Sequence, residues 1–185
     1  MGAVAAACDT PAMDTSPSVS VPRLVTRRLG LREFRVEDFE SFAAHLADAD
    51  AASFIGVADR LMAWRIFGCS AGLWLLHGAG WWAVESRATG QLVGNVGAFF
   101  RERMSGIELG WNTYRPFWGQ GFASETAGEA LRYTLEVRGE RQARALIAAG
   151  NAASIRVAQR LGLRYDADTA LHGKPVRRYT IERAA

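Results

Sequence analysis

The stretch "YRPFWGQGFASE", Tyr114 to Glu125, constrains the fold of this chain more than any other. Gly119 and Gly121 stand one residue apart between the strand-like run "IELGWNT" and a run in which Ala127, Ala130, Leu131, Thr134 and Leu135 follow the i, i+3, i+4, i+7, i+8 spacing of an amphipathic helix. The chain must turn there from strand to helix, and glycine makes such turns without a steric penalty. A helix starting near Phe122 or Ala123 leaves its first amides without intrahelical partners and carries partial positive charge at that end. Either the N–H groups from Gly119 to Ser124 converge on an anion such as a phosphate, or the stretch is a plain turn with a glycine-assisted helix start. The glycine pattern alone leaves both open.

Composition sets the frame for that choice. The chain has 185 residues, 49% hydrophobic and 22% charged, which suits one globular domain with a sizeable core. A formal charge of +3 with the arginines spread along the chain speaks against nucleic-acid binding, while an anionic small ligand stays compatible. Cys8 and Cys69 have no metal-ligand spacing and make no disulfide framework, so no metal site is expected and a reducing cytoplasm is the simpler setting. No apolar run approaches the roughly 20 residues that span a bilayer, and no membrane partner is expected. The opening "MGAVAAACDTPAMDTSPSVS" lacks a basic n-region and carries Asp9 and Asp14. It is a poor signal peptide and reads as a disordered leader over residues 1–22, ahead of a single domain over 23–185.

The body of the chain punctuates itself. "LVTRRLGLREF" alternates, with Leu29 and Leu31 on one face and Arg28, Gly30 and Arg32 on the other, and predicts a first strand. "VEDFESFAAHL" places Phe39, Phe42, Ala43 and Leu46 at helical spacing. "RLMAWRIFGCSAGLWLL" predicts a second helical region, with Leu61, Trp64 and Phe67 three apart and a break near Gly68 or Gly72. "WWAVES", the turn "ATGQ" and "LVGNVGAFF" predict a strand pair, and "IELGWNT" another strand. After the glycine loop comes the amphipathic helix, which Gly139 is placed to end. "ARALIAAG" suits a buried strand, and "NAASIRVAQRLG" a compact helix between a capping asparagine and a glycine. "LRYDAD" and "VRRYTIER" are the last strands, joined by "TALHGKP". The order predicts an α/β (α+β) fold: a mixed sheet with helices on both faces.

Two phosphate-binding loops fail on the residues. A P-loop requires a Gly-Lys-Ser/Thr ending, and no lysine stands near Gly119 or Gly121. A dinucleotide fingerprint requires a third glycine where Ser124 stands, and an acidic residue ending the next strand, where this chain has "LIAAGN".

"IELGWNTYRPFWGQGFASETAGEAL" followed by "ARALIAAGNAASIRVAQRLGLRYD" closely resembles the acetyl-CoA-binding core of the GNAT superfamily of N-acetyltransferases, in the branch of the ribosomal-protein N-terminal (RimJ/RimL-type) enzymes. The resemblance rests on Trp118-Gly119-Gln120-Gly121-Phe122-Ala123 with Glu125 behind, on Asn151 and Ser154 ahead of Leu161-Gly162-Leu163, and on the opening "RLGLREF". It covers roughly residues 23–183. It implies a mostly antiparallel central sheet of about seven strands, acetyl-CoA as co-substrate and a primary amine as acceptor.

Carried over by position, the resemblance assigns the CoA diphosphate to the amides of Trp118, Gly119, Gln120, Gly121, Phe122, Ala123 and Ser124. It assigns the pantetheine arm to the splayed strand Leu109, Gly110, Trp111 and Asn112, which the ligand would extend like an added strand. Asn151 matches an asparagine that contacts pantetheine, and it also suits a simple N-cap. Trp118 replaces the Gln or Arg of the wider superfamily, an aromatic substitution familiar in this branch. The usual tyrosine acid is missing, because Ala158 stands at its position. Ser154 is where the branch carries a serine proposed for that role, against the alternative of a helix-surface serine. Glu108 is the candidate base, sharing a strand face with Gly110 and Asn112, or else it pairs with one of the arginines.

His77 and His172 are reserve bases that fall on no motif. Trp81, Trp82 and Trp111 suit the core or the walls of an acceptor pocket. That pocket is expected from residues 36–76 and 169–178, which carry no readable acceptor code, and a homodimer is common among such enzymes. The competing reading is a non-catalytic acyl-CoA-binding or regulatory module of the same fold.

Overall fold

The computed structural model describes residues 20–102 and 105–184. All but the last three residues of the expected leader, with Cys8, lie outside them. The chain runs through β1 (Leu24–Val25), β2 (Leu29–Arg32), α1 (Phe39–Ala47), α2 (Arg60–His77), β3 (Gly80–Ser86), β4 (Leu92–Phe100) and β5 (Ile107–Thr113). It continues through α3 (Phe122–Arg132), β6 (Gln142–Ala148), α4 (Ala152–Arg160), β7 (Arg164–Leu171) and β8 (Lys174–Glu182). The strands form one eight-stranded sheet in the order β1-β2-β3-β4-β5-β6-β8-β7. Every neighbouring pair is antiparallel except β5 with β6. This is the mixed, mostly antiparallel architecture that the sequence implies, with one strand more.

The extra strand comes from the opening run. "LVTRRLGLREF" is not one strand but a hairpin of β1 and β2, because Thr26 turns the chain: its N–H donates to the Leu29 carbonyl and its hydroxyl oxygen accepts the Leu29 N–H. The second helix also departs from expectation. α2 runs unbroken through Gly68 and Gly72, from the Asp59 side chain that accepts the Met62 N–H to Gly78 in the left-handed conformation. Each interior glycine costs about 1 kcal/mol of helix propensity. Packing of Ala63, Phe67, Ser70 and Trp74 along one buried stripe offsets it. Leu61, expected to share that stripe with Phe67, points outward instead, and Trp64, half exposed, packs on the rings of Phe39 and Phe67 from its edge. The last two strands absorb most of "TALHGKP" into a hairpin whose turn is His172–Gly173, both at positive φ (49° and 75°).

Two apolar clusters hold the fold. On one sheet face, Ala127, Ala130 and Leu131 of α3 and Val157 and Ala158 of α4 join Val84, Val96, Ala98, Leu109, Ala145 and Ile147. A smaller cluster of Phe39, Phe42, Ala43, Leu46, Ala63 and Phe67 packs α1 on α2. α3 passes into a π-helical turn at Tyr133–Val137, where the Thr134 hydroxyl donates to the Ala130 carbonyl, and the segment ends near Gly139 (φ 74°) as expected.

Close strand approach fixes one glycine. A Cβ on Gly94 would lie 2.2 Å from the backbone oxygen of Asn112. Neither strand can retreat without parting β4 from β5. Gly94→Ala should therefore cost about 1–3 kcal/mol or more, read as a lower urea midpoint at unchanged slope.

Candidate active site

β5 and β6 are paired only at Ile107 with Ala143 and at Glu108 with Arg144. Beyond Glu108 the two parallel strands diverge, so Leu109, Gly110, Trp111 and Asn112 have no partner strand on the β6 side. A parallel ladder abandoned mid-sheet leaves backbone donors and acceptors facing the gap, and such groups need a partner.

The divergent strand leads into the glycine loop. Gly119 and Gly121 both lie at φ 77°, a backbone conformation that any side chain would strain. Gly121 is the N-cap of α3, and no side chain caps the helix. The first amide with a helical partner is that of Glu125, which donates to the Gly121 carbonyl, leaving the N–H groups of Phe122, Ala123 and Ser124 available. Trp118 is half exposed, and its indole N–H donates to the Thr113 carbonyl at 2.6 Å. The ring is thereby pinned beside the end of the splayed strand.

A clamp holds this helix start in place. Glu125 accepts from the Thr26 hydroxyl (2.6 Å), the Arg28 amide (2.9 Å) and the Arg28 Nε (2.7 Å). Burial would raise its carboxyl, but these hydrogen bonds outweigh burial and hold it below the ordinary range. The Arg28 guanidinium also lies over the Phe122 ring, 4.7 Å from its centroid. Glu125 was legible as part of the motif. Its partners were not, because they stand nearly a hundred residues earlier in a turn read as strand.

At the other end of the gap, Asn151 caps α4 by accepting the Ser154 N–H at 3.0 Å. The N-cap reading of Asn151 is therefore realised, with its side-chain nitrogen still available. The Ser154 hydroxyl has no protein partner among the described residues.

Glu108 lies on the sheet face opposite α3, in register with Phe99 and on the same side as Gly110 and Asn112, as the alternation predicts. It is 4% exposed, and its two oxygens accept from Arg101 Nε (3.0 Å) and Nη2 (2.6 Å). The ion-pair reading is thus realised too. Trp81 lies across Gly97 and Gly110, whose added Cβ atoms would stand 2.6 and 2.5 Å from its ring, and stacks on Phe99 at 5.0 Å. Trp82 is wholly buried core, and Trp111 packs against the same core. His77 is exposed at the end of α2 and His172 sits in the β7–β8 turn, so neither joins this constellation.

Sequence reading missed the buried polar pair beside it. His45 of α1 stacks on Tyr114 with ring centroids 4.7 Å apart, and both are more than nine-tenths buried. Both imidazole nitrogens, the Tyr114 hydroxyl and the Asn95 Oδ1 lack protein partners among the described residues. Burial pushes His45 below the ordinary histidine value against the pull of Asp48, and pushes the Tyr114 phenol well up, with Asp38 adding to it. The sign of the linkage follows. Below about pH 6.5 the unfolded chain binds a proton that folded His45 resists, so its contribution is complete above that pH and is lost as pH falls toward the folded value. The unfolding temperature should drop between pH 7 and 5, and His45→Phe, which keeps the ring stack, should flatten that drop.

The fold is matched by known proteins. The family model of the acetyltransferase (GNAT) domain matches residues 28–164. YkkB of Bacillus subtilis, an uncharacterized protein, is 34% identical over 105 residues, 56% of this chain. The match spans 61% of YkkB. An acetyltransferase from Agrobacterium tumefaciens superposes with TM-score 0.81 at 24% identity, over 90% of this chain and 98% of that one. The ribosomal-protein acetyltransferase RimL in complex with coenzyme A superposes with TM-score 0.72 at 16% identity, over 86% of this chain and 97% of that one. A glycine loop on an uncapped helix, set beside a sheet that splays, is thus seen here in a chain that belongs to the GNAT acetyltransferase family.

Proposed function

We propose that this protein transfers an acetyl group from acetyl-CoA to a primary amine, either a protein N-terminus or a small molecule, by direct attack in a ternary complex. The observation that carries the reading is the meeting of two unsatisfied backbone surfaces: the β5 edge beyond Glu108 and the free amides of Phe122 to Ser124. The first suits an amide-rich arm and the second a diphosphate.

Acetyl-CoA supplies a thioester whose acetyl carbon forms a C–N bond with the amine as its C–S bond breaks. The residues of the chain divide the remaining work. Trp118 to Ser124 hold the diphosphate through backbone amides, and Leu109 to Asn112 align the arm, so remote binding energy positions the reacting end. An amide of the splayed strand polarises the carbonyl oxygen. Glu108 takes the proton from the ammonium, directly or through water. The proton that nitrogen sheds as the amide forms passes to the departing sulfur, which leaves as the thiol; Ser154 donates a hydrogen bond to that sulfur, and Asn151 contacts the arm while capping α4.

Calorimetry tests the donor site. Acetyl-CoA and CoA should bind in competition, whereas ATP should not displace them. Binding of ATP with no binding of CoA or acetyl-CoA would overturn the donor assignment.

A further inference from the structure

The sheet face opposite α3, where β5 and β6 part, carries a cluster of arginines that the described ion pairs do not fully match. Glu108 and Arg144 face each other across the β5–β6 junction, so their side chains share one sheet face. Arg178, opposite Leu146 on β8, lies on that face as well, because Leu146 is two residues beyond Arg144. Arg101 reaches it from beyond the end of β4. Arg144, Leu146, Arg178 and Thr180 are all partly exposed on this face, whereas Ala143, Ala145 and Ile147 on the other are buried.

The pairing there is unequal. Arg101 gives both arms of its fork to Glu108, and Arg178 is paired with Asp166. Arg144 has no carboxylate partner among the described residues. It makes one long hydrogen bond to the Gly106 carbonyl, at 3.3 Å, and its Nε is buried without a partner. Burial disfavours its charge, Glu108 opposes that, and Arg178 and Arg101 reinforce it. Among the described residues, the three guanidinium groups of Arg101, Arg144 and Arg178 find two carboxylate partners, Glu108 and Asp166, and Arg144, on the strand residue next to the candidate base, is the one left without. A planar fork with free N–H groups is built for a carboxylate.

We propose that Arg144 binds a carboxylate of the acceptor, and that the natural acceptor is therefore an amine with a carboxylate a few bonds away: a free amino acid, or a peptide whose first residue is acidic. This rests on the acetyltransferase reading above. Neighbouring strands lie about 4.8 Å apart, so a ligand whose carboxylate meets Arg144 presents its amine beside Glu108. The docked anion also competes for Arg101, which loosens the hold on Glu108.

Matched pairs that differ in one carboxylate test the proposal with this protein and saturating acetyl-CoA, with rates compared per free amine because amidation also lowers the basicity of an α-amine. Phenylalanine against phenylalaninamide reads the α-carboxylate; amidated peptides beginning with glutamate against the same peptides beginning with glutamine read the side chain. Thiol release should favour the charged member of at least one pair about tenfold or more in kcat/KM, mainly through KM, consistent with a charge-assisted hydrogen bond. The pair that responds identifies the source. Arg144→Gln should bring that ratio close to one, and Arg144→Lys should retain part of it. A wild-type ratio near one in both pairs, or a ratio that survives in Arg144→Gln, overturns the assignment. Absence of turnover with every amine counts against acetyl transfer itself. In that case calorimetric binding of N-acetylphenylalanine against its amide, and of the N-acetylated glutamate peptide against its glutamine counterpart, still decides the role of Arg144, and equal binding within both pairs overturns it.

Discussion

Gly121→Val should raise the KM for acetyl-CoA about tenfold or more while leaving the fold intact. Gly121 caps α3 at φ 77°, and holding a bulky residue there costs roughly 1–2 kcal/mol. A β-branched side chain is among the least tolerant of this conformation. The space itself is not the obstacle, since an added Cβ would stand at an ordinary 3.7 Å from Arg28 Nη2. The chain is expected to relax the loop, turning the amides of Phe122 to Ser124 away from a common point. Each 1.4 kcal/mol lost at that point is tenfold in affinity. Calorimetry with acetyl-CoA measures it, alongside a far-ultraviolet spectrum that should match wild type.

Glu108→Gln should lower kcat roughly 10²- to 10⁴-fold, the range set by general-base catalysis, with acetyl-CoA affinity unchanged. The substitution also strips Arg101 of its carboxylate. Removing one partner of a buried pair costs about 3–5 kcal/mol, and Arg101 is 26% exposed, so a smaller loss of stability is expected here. Arg101→Gln separates the two roles. It breaks the same pair but leaves the carboxylate in place, so it should lose stability while retaining much more turnover than Glu108→Gln. Equal turnover per folded molecule in both variants would reduce Glu108 to an ion-pair partner.

The glycine loop, the helix behind it and the α4 cap were legible in the sequence because their signals are local. Glycine spacing, the amphipathic run from Ala127 to Leu135 and the cap at Asn151 are each set by neighbours a few residues away. What was illegible depends on tertiary partners. Gly68 and Gly72 look like helix breakers, yet the packing of Phe67, Ser70 and Trp74 carries α2 through them. Thr26 looks like a strand residue until its hydroxyl turns the chain and then meets Glu125. The hold of Arg101 on Glu108 and the stack of His45 on Tyr114 bring together residues from separate elements, for which no spacing rule exists. The unmatched charge of Arg144 is visible only once β5, β6 and β8 are placed side by side.

Release of free thiol from acetyl-CoA, followed with and without a panel of primary amines, addresses acetyl transfer most directly. The expected result is release that depends on an amine and is accompanied by the N-acetylated product in the mass spectrum. Acetyl-CoA binding with no amine-dependent release across the panel would contradict it and leave a non-catalytic acyl-CoA-binding module.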